Sequence, residues 1–196
     1  MPSEKPIVKQ TNYRKSFWQN LREWVQVIVI ALIIALPVRY FIAEPFIVNG
    51  ASMDPTFSTG QFLIVDRLSY RFEDPNRGDV IVFEYPGDPS IYYIKRIVGL
   101  PGETIILKNG KVSILNEDNP GGIELAEPYI DSSHTSQDSS TISLGPTEYF
   151  VLGDNRAQSS DSRTWGPLDK HFIVGRPAVR LLPITSAAVL PGEYNQ

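Results

Sequence analysis

The hydrophobic pattern changes character once along the chain. Val27–Val38 runs VIVIALIIALPV, twelve residues without a charge. Taken from Trp24 to Ala43 the stretch is twenty residues in which only Gln26 and Arg39 are polar. Twenty helical residues rise about 30 Å, the thickness of a bilayer's hydrocarbon core. Trp18, Trp24, Tyr40 and Phe41 fall where interfacial aromatics belong, and Arg39 can snorkel from near the far end. A buried core helix, a cleaved signal peptide and a retained anchor all produce such a run. The long tail before it and the lack of a small-x-small site after Pro37 favour the retained anchor.

Beyond Ala43 the period shortens to that of strands. FLIVDRL (62–68), DVIVFEY (79–85), IYYIKRIVG (91–99), TIILK (104–108), KVSIL (111–115), EYFVLGD (148–154) and FIVGR (172–176) are rich in β-branched and aromatic residues. Gly, Pro, Asn and Asp clusters bound most of them. Asn109-Gly110, between two such runs, predicts a type I′ hairpin turn. Residues 116–147 carry prolines, glycines and the Ser/Thr/Asp-rich run 131–141, and read as an exposed excursion of the same domain. The expected architecture is mainly β: a basic tail (1–23), one N-terminal transmembrane helix (24–43) and a β-rich domain (44–196) with a short β insert (104–147).

Charge sharpens this division. Residues 1–23 carry a net +3 and residues 44–196 a net −8, within a total of −4. Positive charge is retained on the cytoplasmic side of a membrane, which predicts a cytoplasmic amino terminus and an extracytoplasmic domain. An acidic main domain argues against nucleic acid as a partner. Cysteine is absent, which removes disulfides, thiol nucleophiles and most structural zinc sites.

Candidate chemistry narrows by elimination. His134 lies in a polar loop and His171 precedes the run FIV, neither with an acid or serine setting that predicts a triad. Two isolated histidines also make a poor metal site. Lysine is another base, provided that it is neutral. Outside the tail Lys108 and Lys111 flank the Asn-Gly turn and Lys170 stands in the polar LDKH. Lys95 alone lies in an apolar run, Tyr92-Tyr93-Ile94-Lys95-Arg96-Ile97-Val98. Strand alternation puts Tyr93, Lys95 and Ile97 on one face and Arg96 on the other. Burial lowers the proton affinity of an amine, and bringing a pKa from ~10.4 to ~8 takes roughly 3 kcal/mol. A packed stem with a snorkelling head fits the same pattern. Ser52 follows an apolar strand in FIVNGASMDPT, where it is a nucleophile at a strand-to-turn junction or a plain turn serine.

A resemblance resolves these alternatives. GASMDPTF is similar to the nucleophile motif of the signal peptidase I family, and RGDVIVF (77–83) to its next block. YYIKRIVGLPGE (92–103) resembles the lysine block and VLGDNRAQSSDSRTWGPL (151–168) the glycine-aspartate-asparagine block. The four stand in order behind one apolar segment.

The resemblance implies a signal-peptidase-type β fold and a membrane-bound serine endopeptidase that cuts signal-peptide-bearing preproteins after small residues. It carries the nucleophile onto Ser52 and the general base onto Lys95, with Ser159 hydrogen-bonded to the lysine amine. Asp154, Asp161 and Arg163 become supports through ion pairs, with Arg96 the partner of Asp154. Phe46, Val48, Met53 and Ile94 line the substrate pocket. The Ser52 amide and Gly50 stand at the oxyanion site, and Gly50 replaces the serine that some members use there. Ala157-Gln158 departs from the commoner Asp-Asn, and the insert is short. The expected mechanism needs no metal or cofactor, and the enzyme is expected to act as a monomer. Its partners are preproteins and the lipid bilayer of a plasma or thylakoid membrane. Self-cleaving repressors share the dyad but are soluble and DNA-binding, and a tethered binding domain would not need Ser52, Lys95 and Ser159 together.

Overall fold

The computed structural model describes residues 17–37, 42–130, 133 and 139–193, in two compact units that divide after Arg39. The first holds helix α1, Phe17–Pro37. Its Gln19–Leu36 window has a mean hydropathy of 1.5 and no buried residue, so it is long and apolar enough to cross a membrane. α1 is described as far as Pro37, which has no amide to give the Ile33 carbonyl. The described helix starts before the predicted 24–43, residues 38–41 of that span lie outside the described residues, and Ala43 belongs to a strand.

The second unit contains two antiparallel sheets. The larger is ordered β1 (Ala43–Ile47), β2 (Phe62–Asp66), β11 (Ile173–Leu182), β3 (Val80–Tyr85), β4 (Asp88–Gly99), β9 (Glu148–Leu152) and β10 (Leu168–Asp169), with β12 (Ala188–Val189) paired to β11. The smaller is ordered β7 (Ile123–Glu124), β6 (Lys111–Leu115), β5 (Thr104–Lys108) and β8 (Ser139–Ser143). A four-residue helix, α2 (Ser162–Trp165), follows β9. β5 and β6 end where the sequence predicts, because Asn109 and Gly110 take φ of 52° and 78°, the left-handed pair that a two-residue hairpin requires.

The insert is built into the domain. Ile105, Leu107, Val112 and Ile114 alternate onto one face of the small sheet and pack with Val98, Phe150 and Leu152 of the large one. The excursion 116–147 is also less exposed than its composition predicts, since Tyr129 is 8% accessible.

Glu103, just before β5, ties the sheets together. Its two carboxylate oxygens share Arg77 Nη2 at 2.7 and 2.8 Å and also accept from the Leu100 amide at 2.9 Å and Asn116 Nδ2 at 2.8 Å. These bonds outweigh the cost of burial and hold the carboxyl below its usual pKa. Its stabilisation is therefore present at neutral pH and lost as pH falls through that lowered value. Glu103→Ala strands a largely buried guanidinium and is expected to cost about 3 kcal/mol. Denaturant unfolding at pH 7 measures this, and a loss under about 1 kcal/mol would show that the pair is not a fastener.

Candidate active site

Ser52 sits in the loop 48–61 that closes the β1–β2 hairpin. The loop is pinched at its neck, where the Val48 amide donates to Gln61 O and the Gly60 amide to Val48 O, both at 2.9 Å. Within it the Phe57 amide donates to Met53 O at 2.8 Å. Met53 and Phe57 sink into a cluster with Val48, Leu63 and Val80, which anchors the loop from beneath. Gly50, at φ 98°, makes the bend two residues before Ser52.

Lys95 comes from the middle of β4, between Ile81 of β3 and the β9 strand that pairs with its neighbours. Its side chain is 3% accessible. Nζ lies 2.8 Å from Ser52 Oγ, 2.8 Å from the Ile94 carbonyl and 5.2 Å from the centre of the Tyr93 ring. Burial brings its pKa down to about 8, while the carboxylates of Asp161 and then Asp154 oppose the shift. The charges acting on the amine are negative and oppose the shift, so desolvation is what lowers the pKa.

Arg96, the next residue, points the other way and is fully buried. Its Nε and Nη2 donate to the two oxygens of Asp154 at 2.8 and 2.7 Å, and its Nη1 donates to the carbonyls of Gly78 and Gly192 at 2.8 and 2.6 Å. Asp154 also accepts from Thr56 Oγ1 at 2.6 Å. One carboxylate thus joins β4, the turn after β9 and the loop of Ser52. Thr56 was not singled out by sequence, although it stands inside the quoted motif.

The turn after β9 wraps Ser52. The Asn155 amide donates to Ser52 O at 3.0 Å. A Cβ built on Gly153 would meet Ser159 Oγ at 2.3 Å and Ser52 O at 2.4 Å, so no side chain fits there. Asp161 accepts from the Gly153 amide at 3.1 Å and is gripped by Arg163 Nε and Nη2, each at 2.8 Å. Ser159 differs from expectation. Among the described residues its buried hydroxyl has no hydrogen-bond partner, and the lysine amine is held by Ser52 and Ile94 O instead.

A cleft of about 270 Å³ opens in front of Ser52 and Lys95. Phe46, Val48 and Ile94, which the resemblance assigns to the substrate pocket, are among its lining. Met53 does not: it is 1% accessible in the cluster below, because the loop turns its side chain inward. Gln158 and Ser160 reach the cleft from the far wall and were missed as lining residues. Among the described residues the Ser52 amide has no acceptor, whereas the Gly50 amide is taken by Thr59 Oγ1 at 3.1 Å and is not free for an oxyanion. His171 is an exposed surface residue paired with Asp169 at 2.6 Å, and His134 lies outside the described residues. Among the described residues no group of three His, Cys, Asp or Glu side chains is placed to hold a metal ion.

The sequence model of the family described as signal peptidase, peptidase S26, matches residues 21–182. The chain belongs to this family. It is 35% identical to a signal peptidase I from Bacillus licheniformis over 85% of this chain and 89% of that one. It is 36% identical to a probable signal peptidase I-1 from Synechocystis, covering 85% of each chain. A signal peptidase I from Leptolyngbya laminosa is 38% identical over 89% of this chain and 87% of its own. The S26 chain is a serine endopeptidase, and its N-terminal apolar helix is consistent with membrane anchoring.

The buried amine has a thermodynamic signature. Unfolded, a lysine stays protonated to about pH 10.4; folded, Lys95 deprotonates near 8, so the unfolded state binds more protons in between. Stability therefore rises with pH across that window, and below it the full penalty of about 3 kcal/mol is present. Lys95→Met, of similar volume and uncharged, is expected to be more stable than the native chain by about 1–3 kcal/mol at pH 7. The gain should shrink by pH 10. Denaturant unfolding at both pH values checks this, and a variant less stable at pH 7 contradicts a desolvated amine.

Proposed function

We propose that this chain is a membrane-anchored signal peptidase I that removes N-terminal signal peptides from exported preproteins. It cuts after small residues through an acyl-enzyme formed on Ser52, with Lys95 as general base. The observation that carries this reading is the 2.8 Å contact between Ser52 Oγ and an amine that burial brings to a pKa of about 8.

In the proposed cycle the neutral amine takes the Ser52 proton as the hydroxyl attacks the scissile carbonyl. The Ser52 amide is assigned as the oxyanion donor. The ammonium formed returns its proton to the leaving amine, and a water activated by Lys95 then hydrolyses the ester. The Ile94 carbonyl orients the amine throughout. The unpaired Ser159 hydroxyl is assigned to the same task, because pairing with Lys95 as charge develops recovers the roughly 1–3 kcal/mol that an unsatisfied buried group costs. Asp154, Asp161, Arg96 and Arg163 act as supports. The small cleft bounded by Phe46, Val48 and Ile94 accepts small side chains before the cut and excludes large ones.

The residues bearing the dyad and the α1 anchor fit one physical strategy. Tethering enzyme and substrate to the same bilayer raises their effective concentration. We assign the basic tail to the cytoplasm and the acidic domain to the opposite side, in a plasma or thylakoid membrane, with the monomer as the working unit.

Ser52→Ala and Lys95→Ala should each abolish cleavage of a synthetic preprotein, and the double variant should be no worse than either. The rate divided by KM should rise with pH through one ionisation near 8, because only the neutral amine is a base. A limb titrating near 6.5 would point to histidine instead. Topology is tested separately: protease added to the cytoplasmic face of sealed vesicles should remove only a short amino-terminal piece, and digestion of the β domain from that face overturns the orientation.

A further inference from the structure

Between β7 and β8 the chain sends a short strap, Leu125–Ile130, back over the turn that follows β9. It comes from the segment whose composition marks it as an exposed excursion. Two of its side chains are nevertheless buried against the buried charges of that turn. The Arg96 guanidinium sits over the Tyr129 ring, 4.0 Å from Cζ to ring centre. The Tyr129 hydroxyl donates to Glu127 at 2.8 Å. The Glu127 carboxylate, with 8% of its side chain accessible, pairs with Arg156, itself 4% accessible.

Arg156 in turn donates its Nε to the Gly153 carbonyl at 3.0 Å, and its own carbonyl accepts from Arg163. The peptide of Gly153 is therefore held at both ends. Its amide is fixed by the Asp161–Arg163 pair and its carbonyl by the Glu127–Arg156 pair. Ser52 O and Ser159 Oγ both lie against Gly153, since a Cβ built on it would strike them at 2.4 and 2.3 Å. A shift of this peptide moves the backbone of the nucleophile. Glu127 lines no part of the cleft, and it is not among the charges acting on Lys95.

We propose that Glu127, seated by Tyr129, is a positioning residue for the Ser52/Lys95 pair, acting through Arg156 on the Gly153 peptide. The small sheet then has a part in turnover, since it supplies the strap that fixes the catalytic turn. The inference rests on the dyad reading above.

Because Glu127 does not touch the cleft, its loss should be read in the chemical step and not in substrate binding. Glu127→Gln keeps size and hydrogen-bonding capacity but removes the charge. In the full-length enzyme, cleavage of a synthetic preprotein should show kcat reduced about tenfold or more, the scale of a small misplacement of reacting groups, with KM within twofold of native. Tyr129→Phe keeps the ring over Arg96 and loses only the hydroxyl bond; it should lower kcat about two- to threefold with KM unchanged, about the effect of one weakened hydrogen bond. The double variant Glu127→Gln, Arg156→Gln should be no slower than Arg156→Gln alone, because both changes break one chain of contacts. Native kcat in Glu127→Gln, multiplicative losses in the double variant, or a loss matched by the unfolded fraction in thermal melts would each overturn the positioning role. None of these outcomes touches the dyad, which stands or falls on Lys95→Ala in the same assay.

Discussion

One ion pair withdrawn from water carries the arrangement. Arg96 and Asp154 are both fully buried, and their pairing is affordable only because nearly every polar atom on either side has a partner. The guanidinium spends its donors on Asp154, Gly78 O and Gly192 O, and its face on Tyr129. The carboxylate spends what remains on Thr56. Six stretches far apart in sequence therefore meet at one point: the nucleophile loop, the turn before β3 at Gly78, β4, the segment of Tyr129, the turn after β9 and Gly192. Removing either partner leaves a lone charge in the core, so the geometry is held by a penalty for its own disruption as much as by attraction.

Lys95 and Arg96 show how a strand can give adjacent cations opposite fates. The pleat sends Arg96 towards a carboxylate it can grip with two donors, and it remains charged. Lys95 goes to the other face, where the Tyr93 ring and the Ile94 carbonyl are its nearest company besides Ser52. Asp154 and Asp161 reach the amine only as distant charges, too weak to restore its ordinary proton affinity. Arginine could not be exchanged into position 95, since a guanidinium does not deprotonate in a protein.

Much of the fold was legible because local chemistry and long-range pairing agree. β5 and β6 are bounded by Asn109-Gly110, and the alternation along β4 separates Lys95 from Arg96. β7, β10 and β12 escaped notice because two-residue strands exist only by virtue of their partners. β8, SSTIS, is a strand because it pairs with β5 from Thr104 to Lys108, not because its residues favour one. At the site, motif similarity located Ser52 and Lys95, which periodicity alone left among other readings. Met53 was misplaced since a turn has no period from which to read direction. Thr56, Glu127 and Tyr129 each act through a contact with a residue distant in sequence, and no local pattern marks such a contact.

The burial of Lys95 also couples this chemistry to acidity. With a pKa of about 8, the base-competent fraction falls about tenfold for each unit of pH below that value. The two faces of an energised membrane differ in proton concentration, and the side on which the domain sits sets how much of the population holds a neutral amine. On an alkaline face most copies are ready at any instant; on a strongly acidified one only about one in several hundred would be at pH 5.5. Under the proposed mechanism, cleavage by this chain depends on the pH of the side of the membrane on which its domain sits.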